Sequence, residues 1–210
     1  MTTMAVFGAT GRVGTRVCEY ARATGYDLRL LVRNVEGLGD AHAGAHVTPG
    51  TVTDMKAVEA TLTGAQVVIS ALGDDNFRAP VGTLSKGMAH IVEAGERLGV
   101  TRVLAVAGGG ILDADDGSGQ RRASPTYPEV FRAISAEHDA AWRAMLAGNL
   151  EWTVACTPDI VPGTRTRQFR NGGSRMPFGG KQISCEDLAG FLVDEVVERL
   201  YVNQRVGLAY

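Results

Sequence analysis

The chain has 210 residues, a length that fits one domain at roughly 150 residues per domain. Hydrophobic residues make up 45% of it and charged residues 21%, with a formal net charge of −2, so a disordered chain is excluded and nucleic acid or an acidic membrane is disfavoured as a partner. Cys18, Cys156 and Cys185 are too scattered for a disulfide framework or a metal site, and no apolar run nears the ~18 residues of a membrane span, so a small-molecule partner and a reducing cytoplasm are expected.

The pattern begins with an apolar strand at 4–8, followed by a helix over 14–23 on which Val13, Val17, Tyr20 and Ala21 recur at helical spacing. Gly25 closes that helix, and 27–33 supplies a second strand, so the chain opens as a βαβ unit and the sheet starts out parallel. A weaker strand at 45–51, a helix at 53–62 and the apolar strand 66–72 come next. A helix over 80–98, with a proline near its start and Gly99 past its end, leads into the strand 102–107, which Gly108, Gly109 and Gly110 stop. Beyond a polar loop at 113–124 lie a helix at 128–147 and a strand at 151–156, then an irregular segment to residue 180. The helix 184–200 has Ser184 as its N-cap with Asp187 three positions on, and a last short strand spans 205–208.

Strands and helices alternate throughout, which predicts an α/β fold: a doubly wound, mainly parallel sheet with helices on both faces. Ligands of such sheets bind outside the carboxyl ends of the strands, so the loops after Phe7, Arg33, Leu72, Ala107 and Cys156 are where chemistry is expected. The first loop reads Gly8-Ala9-Thr10-Gly11-Arg12-Val13-Gly14. Glycines there allow a tight turn and close approach of backbone to a pyrophosphate, and the following helix start offers free N–H groups to the anion. At the end of the second strand stands Arg33, where an NAD-preferring enzyme usually places Asp or Glu; a guanidinium there can pair with a 2′-phosphate, which favours NADP(H), or it can simply be solvated.

FGATGRVG, LVRN, the T-x-T-D of residues 51–54 and the following VISALG occur in order at matching intervals, and in this the whole chain resembles the atypical short-chain dehydrogenases of the NAD(P)H-binding group that includes biliverdin-IXβ/flavin reductases and NADH-flavin reductases. The resemblance implies a single-domain Rossmann fold with substrate-side loops at about 108–127 and 157–181. It also implies that Gly8, Thr10, Gly11, Arg12 and Val13 hold the pyrophosphate, Arg33 the 2′-phosphate, Asp54 and Met55 the adenine edge, and Ala71, Leu72 and Gly73 the ribose. Ala107 and Gly108 would line the same site, with Pro158, Asp159 and Ile160 beside the nicotinamide; Thr51 stands where the family commonly has Asp.

The chain departs from that pattern in its catalytic groups. There is no Tyr-x-x-x-Lys pair: Tyr20, Tyr26, Tyr127 and Tyr201 are followed four positions on by Thr24, Leu30, Phe131 and Arg205. Gly108 to Gly110 replace a strand-end serine of the flavin-reductase relatives, and Asp159 replaces a histidine. Glycines at 108–110 would leave room for a planar ring, which suits hydride transfer to a flavin, quinone or tetrapyrrole-like acceptor. His138, Tyr127 and Asp159 are the acids near the expected mouth, with His138 readable as a donor or a packing residue and Asp159 as an acid or a turn residue. Arg165, Arg167, Arg170 and Arg175 make either a solvated loop or an anion clamp, and Cys185 at a helix start is assigned no redox role. Two alternatives stay open: a non-catalytic NADP(H) sensor, and an epimerase or isomerase. The expected assembly is a monomer or homodimer.

Overall fold

The computed structural model describes residues 2–74, 76–80 and 82–210. In chain order its strands and helices are β1 (Thr3–Phe7), α1 (Arg12–Ala23), β2 (Asp27–Val32), β3 (His46–Pro49), α2 (Met55–Leu62), β4 (Val67–Ser70), α3 (Thr83–Leu98), β5 (Arg102–Gly108), α4 (Arg132–Ala147), β6 (Glu151–Thr157), β7 (Asp159–Val161), β8 (Arg170–Asn171), β9 (Gln182–Ser184), α5 (Cys185–Glu198) and β10 (Gln204–Ala209). The main sheet has the order β3-β2-β1-β4-β5-β6-β10-β8, parallel except for β8, which pairs antiparallel with β10 at the edge. β1 lies between β2 and β4, so the order of strands reverses beside it, and the crevice for a ligand opens past the ends of β1 and β4.

The period-two alternation of each strand decides which helices it meets. From β1, Met4 and Val6 join Val17, Cys18, Leu188 and Leu192 on the face covered by α1 and α5. Ala5 and Phe7 join Val58, Met88, Ile91 and Met145 on the face covered by α2, α3 and α4. Both faces are buried under helices, as the continuous apolar runs require. Across one of them runs a buried ion pair, Arg102 to Glu195 at 2.7 Å, and Glu195 also accepts from Thr153 and from the amides of Leu200 and Tyr201.

The structure moves several expected boundaries. Helices α3 and α4 begin at Thr83 and Arg132, later than the prolines suggested, because Gly82 takes φ +78° and a separate 3-10 turn occupies Glu129–Phe131. The stretch from 157 to 180, expected to be irregular, contains β7 and β8, and β7 pairs in parallel with β9 in a small second sheet. At α5 the expected cap is present: the Asp187 amide donates to Ser184 Oγ at 3.0 Å. Among the described residues no helix is long and apolar enough to cross a membrane.

Candidate functional site

The turn from β1 into α1 is shaped by two glycines. Gly8 has φ +77°, and a Cβ there would lie 2.5 Å from the Ala71 carbonyl oxygen; one on Gly14 would lie 2.0 Å from the Gly8 oxygen. Helix, turn and the loop after β4 therefore pack at backbone distance. Gly11 N–H closes the turn onto Gly8 O at 3.0 Å, and Gly11 caps α1 without a side chain. The first-turn amides of α1 have no intrahelical acceptor, no acidic residue stands in that turn, and the helix dipole adds positive potential there. Thr10, Gly11 and Arg12 are exposed, while Val13 is buried.

Beside this turn, Arg33 emerges from the end of β2, exposed, with no hydrogen-bond or ion-pair partner among the described residues. Gly50 N–H is tied to Val32 O at 2.9 Å, and the Thr51 and Thr53 hydroxyls meet at 3.0 Å. Asp54 is the N-cap of α2, accepting from Lys56 N at 3.0 Å, and Met55 packs half-buried on the core. Ala71 N–H donates to Phe7 O at 2.9 Å; Ala71 and Leu72 are half-buried and Gly73 is exposed. The loops named from the sequence for phosphate, 2′-phosphate, adenine and ribose thus sit around one crevice at the strand reversal.

At the far end of the crevice Gly108 closes β5, in register with Thr157 of β6. His138 of α4 faces it: a Cβ on Gly108 would lie 3.5 Å from His138 Cδ2. His138 has no hydrogen-bond partner among the described residues and lines a mostly apolar cavity of about 20 Å³ with Ser70, Leu72, Ala107 and Trp142. Burial lowers its pKa from 6.5 to about 4, so at neutral pH the ring is uncharged. A neutral imidazole can donate a hydrogen bond but is a poor proton donor, and the contacts of this ring with Gly108 and the apolar cavity lining are those of a packing residue.

The glycine run does not leave open room along its whole length. A Cβ on Gly109 would meet Met176 Cε at 2.5 Å, and one on Gly110 would meet Ser135 Oγ at 2.4 Å and Tyr127 OH at 2.5 Å. Of the three, only Gly108 could take a Cβ at ordinary contact distance, 3.5 Å from the His138 ring. Tyr127 spends its hydroxyl on Ser135 Oγ at 2.8 Å. Asp159 lies in β7, in an extended strand rather than a turn, exposed and with no side-chain partner among the described residues. Arg12 Nη1 donates to the Ile160 carbonyl at 3.1 Å, which fastens the start of α1 to the strand that carries Asp159; Pro158 is half-buried next to it.

A family model described as NAD(P)H-binding matches residues 8–199. The chain belongs to the NAD(P)H-binding family. Among solved structures, a protein from Burkholderia pseudomallei, provisionally named an exported protein, is 29% identical with a TM-score of 0.85, each chain fully covered. A provisionally named NADH-flavin reductase from Streptococcus pneumoniae TIGR4 is 25% identical, with a TM-score of 0.80 over 100% of this chain and 99% of that one. A provisionally named epimerase from Bacteroides thetaiotaomicron is 24% identical, with a TM-score of 0.85 over 100% and 97% of the two chains.

Other residues have duties that sequence spacing did not show. His42 is buried and its Nε2 lies 3.0 Å from the Ala9 carbonyl; His90 Nδ1 lies 3.0 Å from Val52 O and ties α3 to the loop before α2. Both contacts join residues more than 30 positions apart, so no local motif announces them. Two of the four arginines of the 163–175 segment are taken up by the fold: Arg165 pairs with Asp194 at 2.6 Å and stacks on Tyr20, and Arg170 donates to the carbonyls of Phe178 and Tyr210, while Arg167 and Arg175 stay exposed. The segment is a strap fastened to α5, where Asp187 also accepts from Thr166, the Arg167 amide and Tyr210. All three cysteines are free and buried, and burial pushes Cys18 and Cys156 up to about 12 and raises Cys185, so none is a ready nucleophile.

Proposed function

We propose that the protein is a cytoplasmic NADPH-dependent oxidoreductase that passes hydride to a planar acceptor such as a flavin, a quinone or a related compound. The observation that carries this reading is the pairing of first-turn amides on α1 that no side chain caps with an exposed Arg33, unpartnered among the described residues, at the neighbouring strand end. This donor set fits a nucleotide bearing a diphosphate and a 2′-phosphate: backbone N–H groups for the bridging phosphates, and a planar cationic fork for the terminal one. Thr10, Gly11, Arg12 and Val13 would hold the diphosphate, Gly8 would admit it closely, Asp54 and Met55 would border the adenine, and Ala71 to Gly73 the ribose.

Bound there, the nicotinamide supplies two electrons and a proton as hydride. The protein's part is to orient and to shield. Ala107, Gly108, Pro158 and Ile160 form the walls of the mouth. The uncharged His138 ring donates a hydrogen bond to a carbonyl or ring nitrogen of the acceptor and holds it beside Gly108, and the second proton of the two-electron reduction comes from solvent. Asp159, exposed on the opposite wall, contacts the acceptor or the water that protonates it. A reaction that requires a strong positioned acid is poorly served, since neither a Tyr-x-x-x-Lys pair nor a charged imidazole stands at the mouth.

That same lack favours a second reading, a sensor that binds NADP(H) without turnover. Incubating the protein with NADPH and FMN, a quinone or a dichlorophenol dye, while following the nicotinamide absorbance, separates the two. Acceptor-dependent loss of NADPH supports the reductase; tight binding with no turnover of any acceptor refutes it in favour of the sensor.

A further inference from the structure

His42 lies in the segment between β2 and β3 and is only 6% exposed, so it offers no surface to a ligand. Its ring nevertheless joins two loops of the crevice. Gly39 N–H donates to Nδ1 at 3.2 Å, which requires a lone pair on that nitrogen. The proton of the neutral ring is therefore on Nε2, and Nε2 donates to the Ala9 carbonyl at 3.0 Å. Thr15 Oγ1 donates to the same oxygen at 3.2 Å. The Ala9 carbonyl is thus held from the protein side by two donors. No described peptide bond is cis, and in a trans peptide the C=O and the following N–H point in opposite directions. Drawing the Ala9 carbonyl toward His42 turns the Thr10 amide the other way, toward the crevice, and Thr10 itself is exposed there.

We propose that His42 is a positioning residue for the dinucleotide: through the Ala9–Thr10 peptide it aims the Thr10 N–H at the phosphates without touching them. This rests on the cofactor reading given above. Two amide side chains divide the ring's duties. His42→Gln places a donor where Nε2 stands and can keep the bond to Ala9 O, whereas His42→Asn places an acceptor where Nδ1 stands and can keep only the bond from Gly39 N–H.

Calorimetric titration with NADPH is expected to show His42→Gln within about threefold of the native affinity and His42→Asn weaker by about tenfold, the equivalent of ~1.4 kcal/mol. Melting temperature, read in parallel, reports the purely structural contribution of each bond. Native-like affinity in His42→Asn, or equal weakening in both variants, overturns the proposal while leaving the cofactor reading intact. If the native protein gives no heat with NADPH, both fall. Should His42→Asn fail to fold, the native protein still decides: the Thr10 amide and the His42 ring N–H must shift in NMR spectra on addition of NADPH, and unmoved signals overturn the assignment.

Discussion

Gly14→Ala puts the packing of the phosphate loop to a test in which two effects have opposite signs. Within a helix, alanine is favoured over glycine by about 0.5–1 kcal/mol, so helix propensity alone predicts stabilisation. The added Cβ, however, would lie 2.0 Å from the Gly8 carbonyl oxygen, 2.7 Å from its carbon and 2.9 Å from Ala9 Cα. Carbon and oxygen rest no closer than about 3.3 Å, so α1 or the turn must move by roughly 1.3 Å, and the atoms in the way are backbone. Forced overpacking costs about 1–3 kcal/mol, and a 2.0 Å clash with backbone puts this site in the upper part of that range, ~2–3 kcal/mol, which leaves a net destabilisation of roughly 1–2 kcal/mol. For a domain of this size that is a fall in melting temperature of about 2–8 °C. NADPH affinity should drop by at least about tenfold, since the displaced turn carries the amides proposed to hold the diphosphate. Gly37→Ala serves as the control, because nothing lies within 4 Å of its Cβ position and it should change neither property. A Gly14→Ala protein that melts at or above the native temperature and binds NADPH normally would refute the reasoning.

Arg33→Ala should weaken NADPH by about ten- to a hundredfold while barely moving NADH, as expected for one charge-assisted contact to a 2′-phosphate; parallel titrations with the two nucleotides check it, and equal losses contradict it. His138 contributes a pH dependence of stability. Its folded pKa of about 4 lies below the unfolded 6.5, so between these values the unfolded chain binds more protons and stability falls as the pH drops from 6.5 toward 4. His138→Phe should flatten that fall in urea titrations at pH 7 and 4.5, and should lower turnover with the planar acceptor while sparing NADPH affinity. Glu195→Ala, which strands the buried Arg102 charge, should destabilise by about 3–5 kcal/mol in denaturant titration without altering cofactor affinity, and replacing both partners by Met and Leu should recover most of the loss.

What the sequence made legible is the part governed by local rules. Strands buried on both faces show as apolar runs, and β1, β4 and β5 lie where those runs lie. Gly8 and Gly14 are required by φ or by backbone contact, so their spacing carried the turn's geometry directly, and Ser184 with Asp187 marked the start of α5 through a cap of three residues' reach. What escaped depends on distant partners. Pro80 and Pro128 resemble helix starts, but the backbone of Gly82 and the turn at Glu129–Phe131 delay both helices. Gly109 and Gly110 look like open space until Met176, Tyr127 and Ser135 arrive from elsewhere to fill it. The four arginines of the strap could be weighed only as free cations, because Asp194 and the carbonyls that take up two of them are brought near by the fold. His42 and His90 are lone histidines in sequence, and their acceptors are unremarkable backbone oxygens.

A crystal structure of the protein with NADPH bound tests the account most directly. It should place the diphosphate on the amides of residues 10–13 and the 2′-phosphate within hydrogen-bond distance of the Arg33 guanidinium, with the nicotinamide ring between Gly108 and Ile160. A nucleotide bound elsewhere, or one seated in the crevice with its 2′-phosphate turned away from Arg33, would contradict it.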